Sequence, residues 1–154
     1  MDIGRVAKLQ LVVERLEHLI VGEESFISNM ANASALIARE FTNLHWVGFY
    51  MWDAEKKQLV LGPFQGTPAC VRIPYGKGVC GAAVMHNSTQ IIQQITDTNY
   101  ADSKIRSEIA IPMRQGRTII GVLAADSESV MRFDKLDQDY LELMAARLVA
   151  NHTM

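Results

Sequence analysis

The chain has 154 residues, 49% hydrophobic and 21% charged, and fifteen basic against seventeen acidic side chains leave a formal net charge of -2. That length suits one domain, expected to span residues 1–154 and to bury roughly two thirds of its unfolded surface. The balanced charge leaves no polybasic patch for nucleic acid, no apolar run approaches the ~20 residues of a membrane span, and the first residues lack a signal-peptide pattern, so a cytoplasmic protein is expected.

Apolar side chains recur at Val6, Leu9, Val13, Leu16 and Ile20, a three-and-four spacing that puts them on one face of a helix over 6–20. Gly22 stops that helix, and Glu23, Glu24 and Ser25 provide an acidic, capping start for a second whose face is Phe26, Met30, Ala33, Ile37 and Phe41. Residues 45–52 are aromatic and β-branched and lead through a polar turn at 53–57 into 58–61, a predicted hairpin. A short strand at 70–73 is stopped by Pro74, 79–86 forms a helix entered from a glycine turn, and 89–95 forms a strand. Residues 109–113 and 118–125 are apolar strands joined by the turn 114–117. Asp134, three residues before Asp137, caps a last helix carrying Leu136, Tyr140, Leu143, Met144 and Leu148. Helices at the ends and strands between them predict an α+β domain, an antiparallel β-sheet with the N- and C-terminal helices packed on one face.

One stretch, 59–81, holds both cysteines, three of the four prolines and five of the ten glycines. Within it Gly76, Gly78 and Gly81 match G-x-G-x-x-G, but Pro74 breaks the preceding strand, the following element is short, and the next acid is Asp97. That context describes a tight turn beside a pocket rather than a dinucleotide site. The four histidines share no ligand spacing, the cysteines are not a C-x-x-C pair, and no G-x-S-x-G elbow occurs, so no metal or other cofactor is expected. His18 and His152 are read as solvated helix-face residues.

Three constellations remain. A free cysteine is most often a small buried hydrophobe, yet Cys80 sits where a glycine turn meets a helix start, and exposed amides there favour the thiolate. Cys70, ten residues earlier, can reach it if the loop folds back. Glu108 and Asp126 stand at the start of one strand and the end of the next, either as solvated strand ends or as a pair that binds a ligand ammonium or supplies a general acid. Trp46 and Tyr50, four apart, point to one face of their strand, as core or as a pocket wall.

The runs at 46–50, 59–66, 69–73 and 76–81, with Ser107, Glu108, Ile109, then Gly121, Val122, Leu123, Asp126 and Ser127, closely resemble the free methionine-(R)-sulfoxide reductases, single-domain members of the GAF fold. The resemblance implies a thiolate that attacks the sulfur of free methionine sulfoxide, a sulfenic acid that condenses with a second cysteine, and a disulfide reduced by thioredoxin. It places Cys70 and Cys80 on the resolving side, Trp46 and Tyr50 at the methyl–sulfur end of the ligand, and Glu108 and Asp126 at its amino group or oxygen. The family's nucleophile falls at Ala101, the loop 96–100 is about three residues shorter, and Ala124 stands where the family has an acid. Two readings follow: a reductase whose chemistry has moved to Cys80 or Cys70, or a GAF domain that binds a small amino-acid-like ligand without reducing it. The apolar faces of the terminal helices need cover, which either a homodimer or the two helices covering each other would provide.

Overall fold

The computed structural model describes residues 2–96 and 104–152. Side-chain caps set where the helices begin. Asp2 accepts from the Arg5 amide at 3.0 Å and starts α1 (Ile3–Ile20) three residues earlier than its apolar spacing suggests. Ser25 accepts from the Ser28 amide at 3.1 Å to start α2 (Phe26–Glu40). After strands β1 (Trp46–Asp53), β2 (Gln58–Gly66) and β3 (Arg72–Pro74) come α3 (Gly78–His86), β4 (Gln90–Ile92), β5 (Ser107–Gln115), β6 (Thr118–Ser127) and α4 (Lys135–Ala150). Asp134 and Asp137 close a reciprocal capping box at the start of α4, an arrangement that satisfies two otherwise orphaned amides.

The six strands form one sheet in the order β3-β2-β1-β6-β5-β4, with every neighbouring pair antiparallel. Period-two alternation divides its side chains between two cores. On one face Val47, Phe49, Ile109, Ile111, Met113, Leu123 and Ala125 pack with the apolar stripes of α1, α2 and α4. The terminal helices therefore cover the sheet and one another, as the α+β reading anticipates. Phe49 is fully buried there, and its truncation to alanine would cost about 3–5 kcal/mol. The other face belongs to α3, whose Val79, Cys80, Ala83 and Val84 pack on Tyr50, Leu59, Ala110 and Val122. Among the described residues no helix is long and apolar enough to cross a membrane.

Four local expectations change. The buried stripe of α4 centres on Asp137, Leu141, Met144, Ala145 and Leu148, while Leu136, Tyr140 and Leu143 are only partly buried. The helix is turned because Asp137 is drawn inward by Arg5 at 2.7 Å and Arg132 at 2.9 Å. Cys70 lies outside the short third strand, since β3 begins at Arg72, although the Leu61 amide already reaches the Val71 carbonyl at 2.8 Å. The strand expected over 89–95 is only Gln90–Ile92: beyond it the Gln93 carbonyl accepts from the Met131 amide and the Gln93 side chain donates to the Phe133 carbonyl, so both bind the loop before α4. His152 is not a solvated helix residue. Its ring stacks on Phe26 with centroids 4.2 Å apart, because Asn151 ties the end of α4 to the carbonyls of Ile20 and Glu23. Ala101 and the loop 97–100 lie outside the described residues.

Candidate functional site

The antiparallel register assembles the site on the α3 face. Trp46 of β1 is directly opposite Asp126 of β6, and Asp126 is directly opposite Glu108 of β5. These three side chains form one row across the sheet. The next row on that face is Gly48, Ala124 and Ala110, and the one beyond it Tyr50, Val122 and Pro112. Side chains this small in the middle row leave a floor between an acidic end and the part of the sheet covered by α3.

Aromatic rings wall this floor. Trp46 stacks on Phe64 with centroids 5.4 Å apart and on Tyr50 at 5.9 Å. The first stack depends on Gly48, where an added Cβ would lie 2.3 Å from the Cβ of Phe64 and 2.9 Å from the Pro63 carbonyl oxygen. The Tyr50 hydroxyl donates to the Cys70 carbonyl at 2.9 Å and so fixes the loop before β3 at the rim.

Two buried polar atoms in the acidic row have no hydrogen-bond partner, Oε2 of Glu108 and Nε1 of Trp46. Native proteins seldom leave such atoms unpaired without a reason, and a ligand is one. Glu108 is pushed up to about 8, first by burial and then by the charge of Asp126, so at neutral pH it is mostly a neutral acid. Asp126 is held differently: the His45 amide donates to its carbonyl at 2.9 Å, and its Oδ1 lies 3.2 Å from Nδ1 of His45. The register thus brings together a donor acid, a second acid held by an imidazole, and an aromatic wall. That set suits a small ligand bearing an ammonium group, a hydrogen-bond acceptor and an apolar end.

The two cysteines occupy unlike settings. Both are free thiols, Cys70 exposed and Cys80 buried. Cys80 does lie in the first turn of α3, but the expected lowering of its thiol is reversed. Burial raises it well above the usual range, and the nearby charges of Glu108 and Asp126 add to the effect. Tyr50 is raised too, by burial and then by Cys80, Cys70 and the same two acids. The Cys70 thiol points away to the Arg72 carbonyl at 3.3 Å. Of the residues singled out in the sequence, Trp46, Tyr50, Glu108, Asp126 and Cys80 line one face, while Cys70 meets it through its backbone. His45 was passed over there because it was weighed only as a metal ligand; its place just before Trp46 was the available signal. Among the described residues no three or more His, Cys, Asp or Glu side chains group to hold a metal ion.

An antiparallel six-stranded sheet with the terminal helices on one face and a short helix on the other is the GAF architecture, and a family model described as GAF domain matches residues 27–152. The chain belongs to the GAF domain family. Protein YtsP of Bacillus subtilis is 43% identical over 145 residues, 90% of this chain and 87% of that protein. Free methionine-R-sulfoxide reductase of Escherichia coli is 45% identical over 133 residues, 84% of this chain and 79% of its own length. Among solved structures, free methionine-R-sulfoxide reductase from Neisseria meningitidis, in complex with its substrate, matches with a TM-score of 0.89 at 37% identity, covering 96% of this chain and 89% of that one.

Proposed function

We propose that the chain binds free methionine-(R)-sulfoxide, or a closely similar small amino acid, over the row of Trp46, Asp126 and Glu108. The observation that carries this reading is Glu108, a neutral acid with an unpartnered buried oxygen, directly opposite Asp126 and in one row with Trp46. A sulfoxide oxygen accepts a hydrogen bond and an ammonium group donates one, so protonated Glu108 meets the first and ionised Asp126 the second. Trp46 and Tyr50 take the methyl–sulfur end. The relatives named free methionine-R-sulfoxide reductase support this choice of ligand. Isothermal titration with methionine, its two sulfoxides and its sulfone tests it. The (R)-sulfoxide is expected to bind tightest, and failure of every one of these ligands to bind would refute the proposal.

Thiol chemistry needs a thiolate. Ala101 supplies no nucleophile, and Cys80 is a buried thiol facing two acids, so recognition is favoured over reduction. The placement of Cys80 in the same apolar cluster as Trp46 and Tyr50 supports the second reading, reduction through Cys80 with Cys70 as its partner and thioredoxin as electron donor. Thioredoxin-coupled consumption of free methionine-(R)-sulfoxide separates the two: none is expected, and sustained turnover abolished by Cys80→Ser would establish the second. A second copy of the chain is the partner proposed for the outer side of α1, where Leu11 and Leu19 remain exposed. Sedimentation equilibrium reports on it.

A further inference from the structure

The two facing acids pose a question that their register alone does not answer. Carboxylates directly opposite one another on neighbouring antiparallel strands lie close enough to repel, so one of the two favours its protonated form. A symmetrical pair would leave that proton on either. Here the surroundings are unequal. Asp126 has the His45 ring at 3.2 Å, with side chains only 13% and 17% exposed. In the tautomer with its hydrogen on Nδ1 the ring donates to this carboxylate, which can only accept when ionised. Glu108 has no such donor at its buried Oε2.

The ring is held from both sides of its backbone. The His45 amide is bound to the Asp126 carbonyl. On the other side Gly66, at φ +133, packs against the His45 carbonyl so closely that an added Cβ would lie 2.8 Å from its oxygen. Among the described residues, Tyr50 on β1 and Cys80 on α3 also lie within electrostatic range of both acids, and each is neutral when protonated. Lys104 and Arg106 precede β5, and Arg106 donates to the Ile105 carbonyl through Nη1.

We infer that His45 is a positioning residue that decides which of the two acids holds a proton: by donating from Nδ1 to Asp126 it keeps that acid ionised and leaves Glu108 as the protonated one. This division makes Asp126 the acceptor for a ligand ammonium and Glu108 the donor to a ligand oxygen. The role in recognition rests on the proposed function, whereas the placement of the proton rests on the His45–Asp126 contact and the burial of Glu108 with an unpartnered oxygen.

Carboxyl carbon titration by NMR on the unliganded, full-length protein tests the inference directly. In the wild type Glu108 holds its proton through neutrality and Asp126 does not. In His45→Ala the Asp126 midpoint rises and that of Glu108 falls, each by about one pH unit, as expected for loss of one hydrogen bond to the charged form. Affinity for methionine-(R)-sulfoxide falls about tenfold in the same variant. His45→Asn, which keeps an amide donor near the position of Nδ1, restores both. Should His45→Ala not fold, His45→Phe keeps the ring volume without the donor and reads the same midpoints. Unchanged midpoints in a folded variant lacking the donor would overturn the inference. A wild type that binds none of the ligands would instead defeat the proposed function and leave the titration to decide the proton.

Discussion

Glu108→Gln should make the protein more stable at alkaline pH and remove most of a pH dependence that the wild type shows. In the folded chain this acid titrates at about 8, against 4.5 when free. Between those values the folded state keeps a proton that the unfolded state has released, so stability is full below 4.5 and falls as pH rises, levelling off above 8. Each pH unit in that window is worth about 1.4 kcal/mol for one proton, which sets an upper limit of about 5 kcal/mol. Because local opening relieves part of the cost, a loss of about 2–4 kcal/mol is expected. Glutamine is close to isosteric with the protonated acid and carries no proton to lose. Urea unfolding of both proteins at pH 5 and pH 8.5, without ligand, measures the difference. Cys80 and Tyr50 stay protonated in the folded chain, and the onset of their ionisation in the unfolded chain at pH 8.5 is common to both proteins and largely cancels in the comparison. A gap between the two proteins that stays constant to within about 0.5 kcal/mol across the two pH values would refute the reasoning.

Other expectations follow from single contacts. Gly48→Ala forces a Cβ into the Phe64 side chain and the Pro63 carbonyl; it should lower stability by about 1–3 kcal/mol, read as a lower urea midpoint. Asp134→Ala removes half of the capping box and the bidentate partner of Arg5, a loss of about 1–2 kcal/mol at neutral pH. Arg5 holds the Asp134 carboxyl well below its usual range, so this contribution is present above the ordinary carboxylate value and fades as pH falls below it; the gap between wild type and variant should narrow in acid melts. A small alkylating reagent should modify the exposed Cys70 of the native protein and leave the buried Cys80 until urea unfolds the chain; mass spectrometry of the peptides checks the order. Tyr50→Phe deletes the hydrogen bond to the Cys70 carbonyl and should speed Cys70 alkylation without exposing Cys80.

Much of the architecture was legible because it rests on local periodicity. Leu9, Val13, Leu16 and Ile20 read as a helical stripe, and the apolar runs on either side of 114–117 read as a hairpin that brings Glu108 and Asp126 to one edge of the sheet. A turn over 114–117 would set Glu108 opposite Leu123. The register that sets it opposite Asp126 comes from strands that continue to Gln115 and from Thr118, with an irregularity between Met113 and Arg114. The elements that shifted are those whose limits are set by distant partners. Gln93 leaves the sheet because Met131 and Phe133 claim it, and α4 is turned by Arg5, 132 residues from Asp137 in the chain. His45 was illegible as a site residue for the same reason: its significance lies in Asp126, 81 positions away.

Cys80 shows how a sound local rule loses to tertiary surroundings. Its place in the first turn of α3 does put it near unpaired amides, and the partial positive charge there is worth about 0.3–1 kcal/mol toward a thiolate. Burying a charged sulfur with no specific donor opposes this by several kcal/mol. The protein then sets Cys80 against Tyr50 and Val122 and within range of two acids supplied by other strands. The larger effect wins, and the thiol stays protonated. The glycine-rich run is therefore an accurate guide to backbone geometry, since the turn and the helix form where it predicts. It is a poor guide to reactivity, because the charges that decide reactivity lie 28 and 46 residues further along, at Glu108 and Asp126. At that position Cys80 contributes apolar surface to the cluster of Trp46, Tyr50 and Val122, and the polar groups of that face are the two acids and the histidine 3.2 Å from one of them.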